Sequence, residues 1–165
     1  MLPARVLAAP AILAAALVSA PAPATAQAKD PTSFASDADV TAQIAAMAAT
    51  MKPGQGFAWQ PLVRDGETIA ALEYWKTPGR PAVHPDQAEY AIVVAGAGTL
   101  ISGGTLVRPT AVKADLVEGS DIVGGTTRIL APGDVMLIPA GVPHTFGITG
   151  ERLVLLGIKL PTPRR

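Results

Sequence analysis

His84 and His144 are the only two histidines in a chain of 165 residues, and Glu89 is the lone charge in the apolar run AEYAIVVAG, residues 88–96. Two imidazoles and one carboxylate can hold a metal. They are the facial set that leaves open positions on non-haem Fe(II), and the same donors accept Mn(II), Ni(II), Cu(II) or Zn(II). The setting of Glu89 supports this reading. In a strand it shares a face with Ala91, Val93 and Ala95. A carboxylate turned toward an apolar interior is costly unless a cation meets it, and a divalent ion is the obvious partner. The alternative is a hydrogen-bonded polar cluster without an ion, which must account for both histidines and the carboxylate together. Other chemistries find little support. The chain has no cysteine, hence no thiolate nucleophile, thiolate metal site or disulfide. A Ser-His-Asp relay would need a histidine already assigned. The glycines of GAGTLISGG do not form the G-x-G-x-x-G that opens a nucleotide-binding helix.

Spacing around the histidines is more informative than their number. In GDVMLIPAGVPHTF, residues 133–146, Gly133 is followed by five residues, Pro139, one residue, Gly141, two residues and His144. Gly133-Asp134 supplies a turn into a strand, and residues 139–143 bend the chain so that the next strand begins at His144. This G-x5-P-x-G-x2-H spacing resembles the second motif of the cupin family. The first motif of that family is matched upstream in partial form: His84 stands where the second histidine of its pair belongs, four residues separate it from Glu89, and six residues separate Glu89 from Gly96. Ala82 takes the place of the motif's first histidine. The resemblance covers residues 57–160 and implies an all-β cupin jelly-roll β-barrel. It further implies a divalent metal held by His84, Glu89 and His144, a small-molecule ligand and a tendency to form homodimers. For the place left by Ala82, water, Gln87 or Asp86 are the candidates. After His144 many family members carry an asparagine where this chain has Ile148. The gap between the motifs, residues 97–132, is longer than in the smallest members and marks an insertion.

The elements that must position these residues follow from patterning. From residue 57 on, short apolar runs separated by Gly or Pro indicate strands of a sandwich or barrel. FAWQPLV and TIAALEYWK form a hairpin around Asp65-Gly66. Residues 108–125 are less regular and read as a long connection containing one extra strand. By alternation His144, Phe146 and Ile148 share a face. With Ala91, Val93, Met136 and Ile138 they give the site an apolar wall, suited to a small, largely apolar molecule that meets the metal through oxygen. Such a pocket contains no evident base besides metal-bound water and Glu89 itself. Trp59, Tyr74 and Trp75 are read first as packing or subunit-interface residues, with the barrel mouth as the alternative. Ahead of the barrel (54–165), residues 36–53 form a short helix whose stripe is Val40, Ile44, Met47 and Met51. It is capped by Ser36 or Asp37 and stopped at Lys52-Pro53-Gly54. Residues 27–35 read as a linker.

Residues 1–26 have Arg5, an apolar stretch and Ala24-Thr25-Ala26, the pattern of a cleavable signal peptide. A secreted or periplasmic protein is therefore expected, with no membrane segment after cleavage. Formal net charge is +0, and the basic residues are scattered, so no nucleic-acid surface is expected. Together these features predict an exported metal-dependent enzyme of dioxygenase or lyase type acting on a small, largely apolar oxygenated molecule. The alternative is a non-catalytic cupin that binds a small ligand or a metal.

Overall fold

The computed structural model describes residues 30–161. The chain divides into two compact units, Met1–Pro31 and Thr32–Arg165. The expected signal peptide and residues 27–29 of the expected linker lie outside the described residues. The second unit runs in the order α1 (Asp37–Thr50), β1 (Phe57–Asp65), β2 (Thr68–Trp75), β3 (Ala82–Val83), β4 (Gln87–Ser102) and β5 (Thr105–Val107). It continues with β6 (Thr110–Lys113), β7 (Leu116–Glu118), β8 (Asp121–Val123), β9 (Thr126–Leu130), β10 (Val135–Ile138) and β11 (His144–Pro161). This is the all-β jelly roll with one short helix that the pattern predicts. No helix among the described residues is long and apolar enough to cross a membrane.

Ser36 caps α1. The Asp39 amide donates to Ser36 Oγ at 3.2 Å while the Ser36 amide donates to Asp39 Oδ2 at 2.8 Å, the reciprocal pair of a capping box. The helix ends at Thr50, short of the expected 53, because its cap Met51 is already extended. Val40, Ile44 and Met51 pack with buried Met47 onto Leu72, Tyr74 and Val154, so the predicted stripe is a packing face against β2 and β11. On β2 the alternation divides two cores. Leu72 and Tyr74 face the helix, whereas Glu73 and Trp75 face the barrel interior.

Two long strands carry the barrel. β4 and β11 pair antiparallel from His144↔Ser102 to Pro161↔Gln87, and β2 joins the second half of β11 with Leu153↔Trp75 through Ile158↔Ala70. Residues 149–152 are absorbed as an irregularity between Ile148 and Leu153. Two runs separated by a glycine in the sequence thereby become one strand. Gly96, the last residue of the first motif, sits opposite Leu153 with φ of 79°, and a Cβ there would lie 2.1 Å from the Arg152 carbonyl oxygen. Only glycine fits that approach. Inside the barrel, Val93, Leu100, Leu130, Ile138, Phe146, Leu153 and Leu155 form one buried cluster.

The insertion departs from expectation. Residues 108–125 contain three short strands, β6, β7 and β8, rather than one. β6 and β7 pair with each other and extend the sheet through β3, while β8 pairs with β5 in a separate two-stranded sheet. Arg108, with φ of 49°, turns the chain between β5 and β6. Runs this short, bounded by Asp, Gly and Ser, show too little alternation to be read as strands from the sequence.

Candidate metal and ligand site

The two motifs converge because β4 pairs with β10 on one edge and β11 on the other. Glu89 lies opposite both Ile138 and Lys159. The bend after Ile138 then brings the chain against the segment that bears His84. Gly141, with φ of 79°, donates its amide to the His84 carbonyl at 2.8 Å, which ties the two histidine-bearing segments together. His144 follows as the first residue of β11, opposite Ala82 of β3.

His144 Nε2 is 3.3 Å and His84 Nε2 3.9 Å from Glu89 Oε2, and all three donor atoms lie within 4.8 Å of one another. Donors that hold one ion at about 2.1 Å in a facial or tetrahedral set lie about 3.0–3.4 Å apart, so the farthest pair would close by about 1.5 Å around a first-row metal. Both rings are oriented by backbone. His84 Nδ1 meets the Asp115 carbonyl at 2.9 Å and His144 Nδ1 the Val142 carbonyl at 3.0 Å. A carbonyl can only accept, so each ring carries a proton on Nδ1 and turns Nε2 toward Glu89, where it can donate when protonated and ligate a metal when not. The insertion thus has a local purpose, since Asp115 lies between β6 and β7.

A residue that the sequence reading missed completes the cluster. Lys159 Nζ donates to Glu89 Oε2 and lies 3.0 Å from His84 Nε2. The polar group that accompanies His84, Glu89 and His144 where Ala82 leaves a gap is therefore this ammonium. Neither Gln87 nor Asp86 is among the residues lining the cavity. Burial pushes the Glu89 carboxyl upward, but the hydrogen bond with His144 and the charges of Lys159 and His144 outweigh it and hold the pKa at about 2. Burial, reinforced by the Lys159 charge, lowers His84 from its ordinary 6.5, which keeps the ring neutral.

Above this cluster opens a cavity of about 600 Å³. Phe57, Trp59, Trp75 and Phe146 form its apolar walls, with the rings of Phe57 and Trp75 4.2 Å apart. Leu116 and Glu118 of the insertion close one side, where Arg80 Nε pairs with Glu118 Oε2 at 3.4 Å. Of the expected wall residues, Phe146 lines the cavity, whereas Met136 and Ile148 pack behind it against the buried cluster. Trp59 and Trp75 take their alternative place at the mouth, and Tyr74 is buried under α1.

The cavity also holds a second carboxyl, which corrects the expectation of a site with no base beyond Glu89 and metal-bound water. Glu73, 8% exposed, projects from β2 into the same space. Burial, and secondarily the Glu89 charge, push its pKa up to about 7. The indole N–H of Trp75 favours the ionised form but makes no full hydrogen bond. Gly157 gives this carboxyl its room, since a Cβ there would lie 3.2 Å from Glu73 Oε1. Glu73 was open to discovery, as the lone charge of the apolar strand β2, the signal that singled out Glu89, whereas β11 carries Glu151 and Arg152 beside Lys159.

No protein-family model and no curated protein matches the sequence. Solved structures do match in shape. The DMSP lyase DddQ from Ruegeria pomeroyi DSS-3 aligns over 82% of this chain and 70% of its own, with 21% identity and a TM-score of 0.51. The hydroquinone 1,2-dioxygenase PnpCD, solved with Cd2+ and 4-hydroxybenzonitrile, aligns over 83% of each chain, with 18% identity and a TM-score of 0.53. At these identities the likeness is one of fold.

Proposed function

The chain has the cupin jelly-roll fold, and from that premise we propose that it is a metal-dependent enzyme of lyase or dioxygenase type, acting on a small, largely apolar molecule that carries oxygen donors. One observation carries the proposal: two backbone-oriented Nε2 atoms and one ionised carboxylate converge at the floor of an aromatic-walled cavity. His84, Glu89 and His144 would hold the ion. A divalent metal bound there supplies a Lewis acid for substrate oxygens. The rest is the work of the chain. Aromatic walls exclude water and orient the apolar body of the ligand. Glu73, protonated below about pH 7, can hand over or accept a proton within the same cavity, which favours the lyase variant. A second reading, a receptacle that binds a small ligand without turnover, is supported by Lys159, which already balances the charge of Glu89.

Export of the mature chain belongs to the proposal and is supported by the pattern of residues 1–26. So does a homodimer, supported by Val135 and Leu137, which stand exposed on β10, a strand paired only with β4. The test is reconstitution of the mature protein with each candidate metal, followed by elemental analysis of the wild type, His144→Ala and Glu89→Ala. Stoichiometric metal in the wild type and its loss in both variants is the expected result, and a wild type that retains none removes the enzyme reading. Oxygen uptake and elimination assays over a panel of catechols, enediols and small oxygenated acids then separate the dioxygenase and lyase variants. Silence across that panel in metal-loaded protein moves the weight to the receptacle.

A further inference from the structure

Among the described residues, Lys159 is the one Lys or Arg in contact with the ligand cluster, and the fold places it there. Register sets it directly across from Glu89 on neighbouring strands, so both side chains leave the same face of the sheet. Its ammonium donates to Glu89 Oε2 and meets His84 Nε2 at 3.0 Å, thereby engaging two of the three atoms that would ligate an ion. An ammonium hydrogen and a metal ion need the same lone pairs. They also carry the same sign of charge, so both cannot occupy the cluster in these positions. Glu89 is 2% exposed and would be a stranded charge with neither of them present. The Lys159 side chain is 33% exposed and can swing toward the cavity when displaced.

We propose that Lys159 is a built-in competitor for the metal: its ammonium satisfies Glu89 and His84 in the metal-free protein, and an ion binds only by displacing it. The proposal rests on the metal reading of His84, Glu89 and His144, and it concerns how tightly and on what condition that site fills. Its consequence is a site weakened in affinity but kept folded when empty. The ammonium also remains beside the bound ion, where the excess positive charge favours a ligand bearing a carboxylate, phenolate or enolate oxygen.

The experiment titrates Zn(II) into metal-free full-length protein at one fixed pH, in competition with a chromophoric chelator, for the wild type, Lys159→Met, Lys159→Gln and Lys159→Arg. Melting temperature is recorded with and without the ion. Removing a competing charge a few ångströms from the ion, at partly screened exposure, should tighten binding about ten- to a hundredfold in the Met and Gln variants. The Arg variant should stay near the wild type. The Met variant should also melt lower than the wild type without Zn(II) and gain more from it. Gln retains a hydrogen bond to Glu89, so the affinity comparison survives if the Met variant folds poorly. Zn(II) binding in the wild type that is equal to or tighter than in both neutral variants overturns the competitor while leaving the metal site standing. Absence of binding in all four proteins overturns the metal reading and this proposal with it.

Discussion

Glu73 makes the metal-free protein lose stability between mildly acidic and neutral pH, a direction opposite to that expected of ordinary paired carboxylates. Its folded-state pKa is raised from 4.5 to about 7, chiefly by burial. The folded chain therefore holds a proton over that range which the unfolded chain has released, and stability falls as pH rises. The contribution is fully present below pH 4.5 and gone above about 7. A difference of about 2.5 pH units at about 1.36 kcal/mol each makes the loss about 3 kcal/mol, or about 10 °C in melting temperature for a domain of this size. Other groups titrate nearby. His84, lowered from 6.5, contributes with the opposite sign. Glu89, lowered to about 2, stabilises above its ordinary 4.5 and loses that contribution only on descent toward pH 2. Glu73→Gln isolates the term, because glutamine imitates the protonated carboxyl and cannot ionise. Urea unfolding followed by tryptophan fluorescence, with a chelator present, should give nearly equal stabilities for the two proteins at pH 4.5. The variant should be ahead by about 3 kcal/mol at pH 8. Parallel pH profiles for the two proteins would refute the assignment of a buried, proton-holding Glu73.

Gly157→Ala places a methyl group against Glu73 Oε1 and should move the carboxyl, changing the pH dependence seen above more than the stability at pH 4.5; the same denaturation series checks it. Gly96→Ala meets the Arg152 carbonyl in a left-handed backbone conformation and should cost at least about 3 kcal/mol or abolish soluble expression. Leu137→Asp should convert a dimer to a monomer in size-exclusion chromatography with light scattering, with secondary structure by circular dichroism unchanged. Expression in a host with an export pathway should yield a secreted or periplasmic chain beginning at Gln27, read by N-terminal sequencing.

The parts of the fold that local chemistry controls were legible. Ser36, one of two candidate caps, announces the helix start, and Asp65-Gly66 announces the hairpin of β1 and β2. The convergence of His84, Glu89 and His144 was legible for a related reason. Turn residues fix where His144 enters its strand, and the lone charge of Glu89 in an apolar run fixes which face it takes. What stayed hidden depends on register between strands far apart in sequence. Lys159 opposes Glu89 because the β4–β11 register shifts twice, between Ile148 and Leu153 and again between Val154 and Leu155, and no local signal marks either shift. Asp115 is a further case, since the backbone carbonyl that orients His84 leaves no trace in residue type.

The same dependence on register explains how two glutamates of one cavity acquire opposite characters. Glu89 lies opposite Lys159 and near both imidazoles, so cations and donors hold it ionised despite its burial. Glu73 lies opposite Leu155 on the same strand β11, four residues from Lys159, where burial and the Glu89 charge outweigh the more distant Lys159 and the Trp75 indole. A slip of β11 by two residues would keep every inward side chain facing inward while taking Lys159 off Glu89. The two register shifts between Ile148 and Leu155 thus set one carboxyl of the cavity against an ammonium, which holds it ionised, and leave the other without such a partner, so that burial raises its pKa.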